Sequence, residues 1–132
     1  MVDIKKLYEI VGEKAVITDR QRMLPYLFDE SVPAVRPEPA EKVIFLKPGN
    51  SQEISDILKL ANQDKTPVFI RGGGTGLCGG SIPTRDGLLI SMERFNRIIE
   101  MDTDNLMLTV EAGVTLAEII KAADTAGLIF PP

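Results

Sequence analysis

The stretch Pro67 to Pro83, PVFIRGGGTGLCGGSIP, constrains this chain more than any other. Val68-Phe69-Ile70 is a short apolar, β-branched run that reads as a strand. Six of the nine residues from Gly72 to Gly80 are then glycine, so neither strand nor helix continues there. Glycine reaches backbone angles closed to other residues and lets a ligand approach the main chain closely. Successive N–H groups in such a turn can converge on an anion, most often a phosphate. The residues predict a strand that delivers a phosphate cradle; the plain alternative is a flexible loop between two strands.

Two common phosphate motifs almost fit. Gly74-Thr75-Gly76-Leu77-Cys78-Gly79 spells G-x-G-x-x-G, which in a dinucleotide fold opens a helix facing the pyrophosphate. Here Gly80, Ser81, Ile82 and Pro83 follow, and both the glycine and the proline oppose a helix. In the P-loop pattern Gly74, Gly79 and Ser81 are in register, but Gly80 stands where the lysine belongs.

The flanking chain reads as α+β. Asp3 caps a helix with Ile4, Leu7, Ile10 and Val11 on one face, ended by Gly12. Lys14 to Arg36 reads as an irregular connector, and Pro33, Pro37 and Pro39 predict an extended Val32 to Ala40. Val43 to Leu46 predicts a fully buried strand. Asn50 and Glu53 then start a helix with Ile54, Ile57, Leu58 and Ala61 on its apolar face. With Pro67 to Ile70 this forms a βαβ unit, which predicts a parallel pair and a right-handed crossover. Leu88 to Ser91 is a further strand. Ile98 to Met101 and Met107 to Glu111 read as a hairpin around Asp102-Thr103-Asp104-Asn105. Thr115 and Glu118 form a capping box for a helix with Leu116, Ile119, Ile120 and Ala123 facing a core, and Gly127 ends it. No composition shift marks an internal boundary, although a βαβ unit fills the first half and strands with one helix the second.

The 132 residues predict one domain, and their net charge of −4 argues against nucleic acid as the main partner. One cysteine, Cys78, and no histidine exclude an internal disulfide, a cysteine-cluster metal site and a histidine base. Asp102 and Asp104 fall short of a calcium loop. No apolar run approaches the ~20 residues of a membrane span. The charge-interrupted start, MVDIKKLYEI, does not read as a signal peptide, so the chain is expected in the cytoplasm.

A third pattern fits the loop better. Pro67-Val68, Arg71-Gly72-x-Gly74-Thr75-Gly76-Leu77-x-Gly79-Gly80 and Pro83 resemble the pyrophosphate-binding loop of FAD-linked oxidases with the vanillyl-alcohol oxidase (p-cresol methylhydroxylase, PCMH) type of FAD domain. The form GTGLxGG looks most like the glycolate oxidase FAD-subunit and D-lactate dehydrogenase branch. Asp86 to Met92, Phe95-Asn96-Arg97-Ile98, Val110 to Val114, Gly127 to Pro132 and about Leu24 to Leu46 match the same pattern. The resemblance implies the first subdomain of a PCMH-type domain, with a small parallel or mixed sheet flanked by helices, and the start of the second. Residues 1–132 would then be the N-terminal part of that domain.

For the site, the resemblance implies pyrophosphate on the main-chain N–H groups of Gly72, Gly73, Gly74, Thr75 and Gly76, with Gly79, Gly80 and Ser81 in the same loop. Thr75 and Ser81 would add hydroxyl donors, or only turn hydroxyls. Arg71 would add positive charge near the phosphates, or serve as a surface ion-pair partner. Gly113 and Pro132 would lie near the flavin. Cys78 matches no tether position, so FAD is expected to be non-covalent. No catalytic or metal-ligating residue is assigned.

In such families a second glycine-rich segment follows Phe-Pro-Pro, and a further domain supplies substrate-binding and catalytic residues. The resemblance therefore implies a truncated portion of a 2-hydroxy-acid oxidoreductase that passes a hydride to flavin and then to an electron acceptor. Alone, this portion is expected to be inactive, to bind FAD weakly or not at all, and to self-associate through apolar surface left for the missing part. Two other readings are a stand-alone nucleotide or phosphate binder, which would take ADP as well as FAD, and a structural module without a ligand.

Overall fold

The structure is a computed structural model describing residues 2–131, and it divides into two compact units, Met1–Arg94 and Phe95–Pro132. The sequence carries no linker at that point, which is why the division is not legible from composition.

In the first unit, α1 (Ile4–Val11) begins where the Asp3 carboxylate accepts the Lys5 N–H, and stops at Gly12, whose φ is +80°. The expected connector after it is more structured than the sequence suggests. It holds a 3-10 turn (Glu13–Ala15), the two-residue strand β1 (Val16–Ile17), α2 (Arg20–Met23) and a second 3-10 turn (Leu24–Tyr26). Val32 to Ala40 is not extended throughout: the N–H groups of Val35 and Arg36 both donate to Val32 O, a turn that Pro33 favours at its second position.

β2 (Val43–Leu46) is buried at every residue, as expected. At the start of α3 (Ser51–Gln63) Asn50 accepts the Glu53 N–H at 2.9 Å, and Glu53 reaches back to the Gly49 N–H at 2.7 Å. The buried face of α3 is Ile57, Leu60 and Ala61, not the expected Leu58, which is 43% exposed. Positions 57, 60 and 61 follow the i, i+3, i+4 spacing, and residue 58 falls about 100° away.

β3 (Val68–Arg71) and β4 (Gly87–Ser91) complete a four-stranded sheet of order β1-β2-β4-β3. β2, β4 and β3 run parallel, and β1 joins β2 antiparallel. The expected pairing of β2 with β3 is corrected here, because β4 inserts between them. The reason is burial: β4, GLLIS, is buried at every position and suits the centre, whereas β3 is largely half-exposed and takes the edge.

Alternation along the strands separates two apolar clusters. Ile44, Leu46, Leu88 and Ile90 face Leu7 of α1 and Ile57, Leu60 and Ala61 of α3. Val43, Phe45 and Leu89 face the other way, onto Met23 and Leu27, with Tyr26 and Phe28 packed alongside. The segment 23–28 thus covers the second face of the sheet.

In the second unit, β5 (Ile98–Asp102) and β6 (Met107–Val110) form the expected antiparallel hairpin, with β6 ending one residue before Glu111. The Asp102 carboxylate accepts the N–H groups of Asp104 and Asn105 and the Asn105 side chain, so it holds the turn. α4 (Leu116–Thr125) carries the complete Thr115–Glu118 capping box. Among the described residues of this unit, Phe95 and Ala123 are the buried hydrophobics, while Ile99, Leu106, Met107, Leu116 and Ile129 are exposed. No helix of the described residues is long and apolar enough to cross a membrane.

Candidate functional site

The glycine loop leaves β3 at Arg71 and returns to β4 at Gly87, on the edge of the sheet. Met92 N–H donates to Arg71 O at 2.9 Å and fixes the point of departure. The return is anchored by buried Ile82 and Pro83, with Ala40 N–H donating to Pro83 O at 2.8 Å.

Arg71 is buried rather than on the surface, and among the described residues no acid pairs with it. Its guanidinium donates to Phe28 O at 2.8 Å and Pro25 O at 3.4 Å and lies 5.9 Å from the Tyr26 ring. A Cβ built on Gly74 would overlap that guanidinium, and Gly74 has φ +74°. Glycine is required there twice over, by conformation and by space. The arrangement sets a fixed positive charge directly against the first left-handed turn of the loop.

Gly79 makes the second left-handed turn, also at φ +74°, with a Cβ position 3.0 Å from Pro37. Its N–H donates to Asp29 Oδ2 at 2.8 Å, and Glu30 N–H donates to Gly76 O at 3.0 Å. Among the described residues, none of the N–H groups of residues 72–78, 80 and 81 donates to a protein acceptor. Gly72, Gly73, Thr75, Gly76 and Gly80 are exposed. Ser81 Oγ is buried without a hydrogen-bond partner. A run of free backbone donors over a buried guanidinium, with an orphaned hydroxyl at its end, fits an anionic phosphate ligand.

The loop therefore brings Arg71, Gly72, Gly73, Gly74, Thr75, Gly76, Gly79, Gly80 and Ser81 together. Gly113 lies in the second unit, in the turn after β6, and its N–H donates to Phe95 O at 2.7 Å. Pro132 lies outside the described residues. Cys78 is an exposed free thiol.

Asp29 is the residue that sequence reasoning missed. Its Oδ1 accepts the Ser31 N–H at 3.0 Å and the Ser31 hydroxyl, and it is 7% exposed. The Ser31 hydroxyl bond lowers its pKa below the ordinary value; burial opposes this, and the N–H groups of Ser31 and Gly79 add to the lowering. Asp-x-Ser, an Asx-turn pattern, was the available local signal.

The profile of the family described as "FAD binding domain" matches residues 43–132. The chain is 50% identical over 107 residues to a D-lactate dehydrogenase of Archaeoglobus fulgidus, covering 81% of this chain and 24% of that protein. It is 41% identical over 87 residues to the glycolate oxidase subunit GlcD of Bacillus subtilis, covering 66% of this chain and 18% of that one. The fold superposes on p-cresol methylhydroxylase with a TM-score of 0.79 at 20% identity, over 95% of this chain and 24% of the other. The chain thus spans about a quarter or less of the length of these proteins. It belongs to the FAD binding domain family, with the mixed α+β architecture of the PCMH type and FAD as its cofactor.

Proposed function

We propose that the loop from Gly72 to Ser81 holds the pyrophosphate of non-covalent FAD through main-chain N–H groups. The free donors of residues 72–78 and 80 carry this reading. Gly72 to Gly76 supply the bonds, Thr75 and Ser81 add hydroxyls, and Arg71 stabilises the phosphate charge from beneath Gly74. Gly79 contributes its left-handed turn, since its N–H is already engaged by Asp29. Gly113 and Pro132 are proposed as further contacts, and residues 1–132 as the N-terminal part of the domain.

When bound, FAD supplies hydride acceptance; the chain's own residues bind and orient it. We assign the whole protein to oxidation of a small 2-hydroxy acid such as D-lactate or glycolate, followed by transfer to an electron acceptor. The names of its relatives support this class. The chain covers 24% of the first of them and has no histidine and no assigned base, so alone it is expected to be inactive. Its exposed Ile99, Leu106, Met107, Leu116 and Ile129 favour contact with the remainder of the protein, or self-association without it. A cytoplasmic location is part of the same proposal, where a lone exposed thiol such as Cys78 stays reduced.

The test is titration of the chain with FAD, ADP and riboflavin. Pyrophosphate recognition predicts weak binding of FAD and ADP and none of riboflavin. Riboflavin binding as strong as that of FAD would overturn it.

A further inference from the structure

Asp29 and Glu30, which directly follow the segment covering the second face of the sheet, grip the glycine loop. Two hydrogen bonds cross between them, Gly79 N–H to Asp29 Oδ2 at 2.8 Å and Glu30 N–H to Gly76 O at 3.0 Å. A Cβ built on Gly76 would stand 3.6 Å from the same Asp29 oxygen, so the carboxylate runs along the loop from Gly76 to Gly79. Its other oxygen is held by the backbone and hydroxyl of Ser31. A buried carboxylate beside a loop of anion donors would compete with a phosphate unless its charge were otherwise satisfied. Here the donors from Ser31 and Gly79 satisfy it.

We propose that Asp29 is a positioning residue for FAD: it captures the Gly79 N–H and so presets the glycine loop, leaving the N–H groups of residues 72–78 and 80 for the pyrophosphate. This rests on reading the loop as the pyrophosphate cradle. A loop with six glycines between Gly72 and Gly80 has a large conformational entropy to lose, and a loop ordered beforehand loses less of it on binding. A carboxylate suits the task because both of its oxygens accept. An asparagine has one acceptor oxygen, and its NH₂ group would face a donor at Gly79 or at Ser31.

The experiment uses the 132-residue chain and two variants, Asp29→Asn and Ser31→Ala. Amide exchange and ¹⁵N relaxation of residues 72–80 are read without ligand, and FAD and ADP affinities are then read from the shifts of the same amides. In Asp29→Asn, Gly79 amide exchange should speed up about tenfold or more, as expected for loss of a charge-assisted bond. FAD and ADP should weaken by a similar factor, while the amides of β2 and β4 keep their protection. Ser31→Ala, which keeps the backbone donor, should show a smaller change in the same direction. Unchanged Gly79 exchange and loop order in Asp29→Asn would overturn the proposal, and so would loss of protection across the whole sheet in both variants. If the unaltered chain binds neither ligand, the proposed cradle does not work in this portion alone, and the exchange measurement still decides the role of Asp29.

Discussion

The guanidinium of Arg71 lies so close against the backbone of Gly74 that no Cβ fits between them. The glycine therefore does more than permit a turn: it lets the loop rest on a buried positive charge. Gly74→Ala would meet both the strained φ and the Arg71 head group, which is tied to two carbonyls and cannot swing aside freely. Binding of FAD and ADP by the variant should fall at least tenfold, measured by titration, while far-UV circular dichroism stays unchanged.

Arg71 itself links loop, strand and covering segment. Arg71→Ala leaves Phe28 O and Pro25 O without their donor and removes the charge under Gly74. The expected loss is about 1–3 kcal/mol of stability by urea unfolding, together with weaker ADP binding. Arg71→Lys should recover part of the charge effect and little of the stability, because one ammonium cannot reproduce the planar fork.

Gly87 answers a different need. It begins β4 between its partners, and a Cβ there would collide with Pro67 O, a backbone atom with little freedom to move. Gly87→Ala should cost about 1–3 kcal/mol, read as a lower urea midpoint with an unchanged m-value.

Acid should weaken the fold in a defined direction. Asp29, Asp102, Glu111 and Glu118 are all held below their ordinary pKa values, chiefly by side-chain hydrogen bonds from Ser31, Asn105, Arg97 and Thr115 respectively. A carboxylate lowered in the folded state contributes stability above its unfolded pKa and loses it as pH falls through the folded value. Stability should therefore be flat from neutral pH down to about 5 and decline below about 4. A decline beginning near pH 6 would contradict this, since the chain has no histidine to titrate there.

Local rules made much of the fold legible. The Asp3, Asn50 and Thr115 caps, the turn around Asp102, the stop at Gly127 and the apolar run Val43 to Leu46 all depend on neighbours within a few residues. What escaped depends on distant partners. β1 has two residues and exists through its pairing with Phe45 and Leu46. The central place of β4 follows from burial on both faces, which sequence order does not reveal. Asp29 looked like one more acid in an irregular stretch, and its importance appears once Met23 to Phe28 packs on the sheet and carries it to Gly79. Arg71 had two candidate roles, a charge near the phosphates or a surface ion pair, and the fold excludes the second by burying it against carbonyls.

In the proposed function, the free N–H groups of one loop hold the flavin's pyrophosphate. Amide shift mapping of the ¹⁵N-labelled chain during addition of FAD tests it most directly and reports even weak binding. The largest shifts should fall on residues 72–78 and 80, ADP should reproduce them, and Gly79, held by Asp29, should move less. Saturable shifts elsewhere with the loop amides unmoved would contradict it.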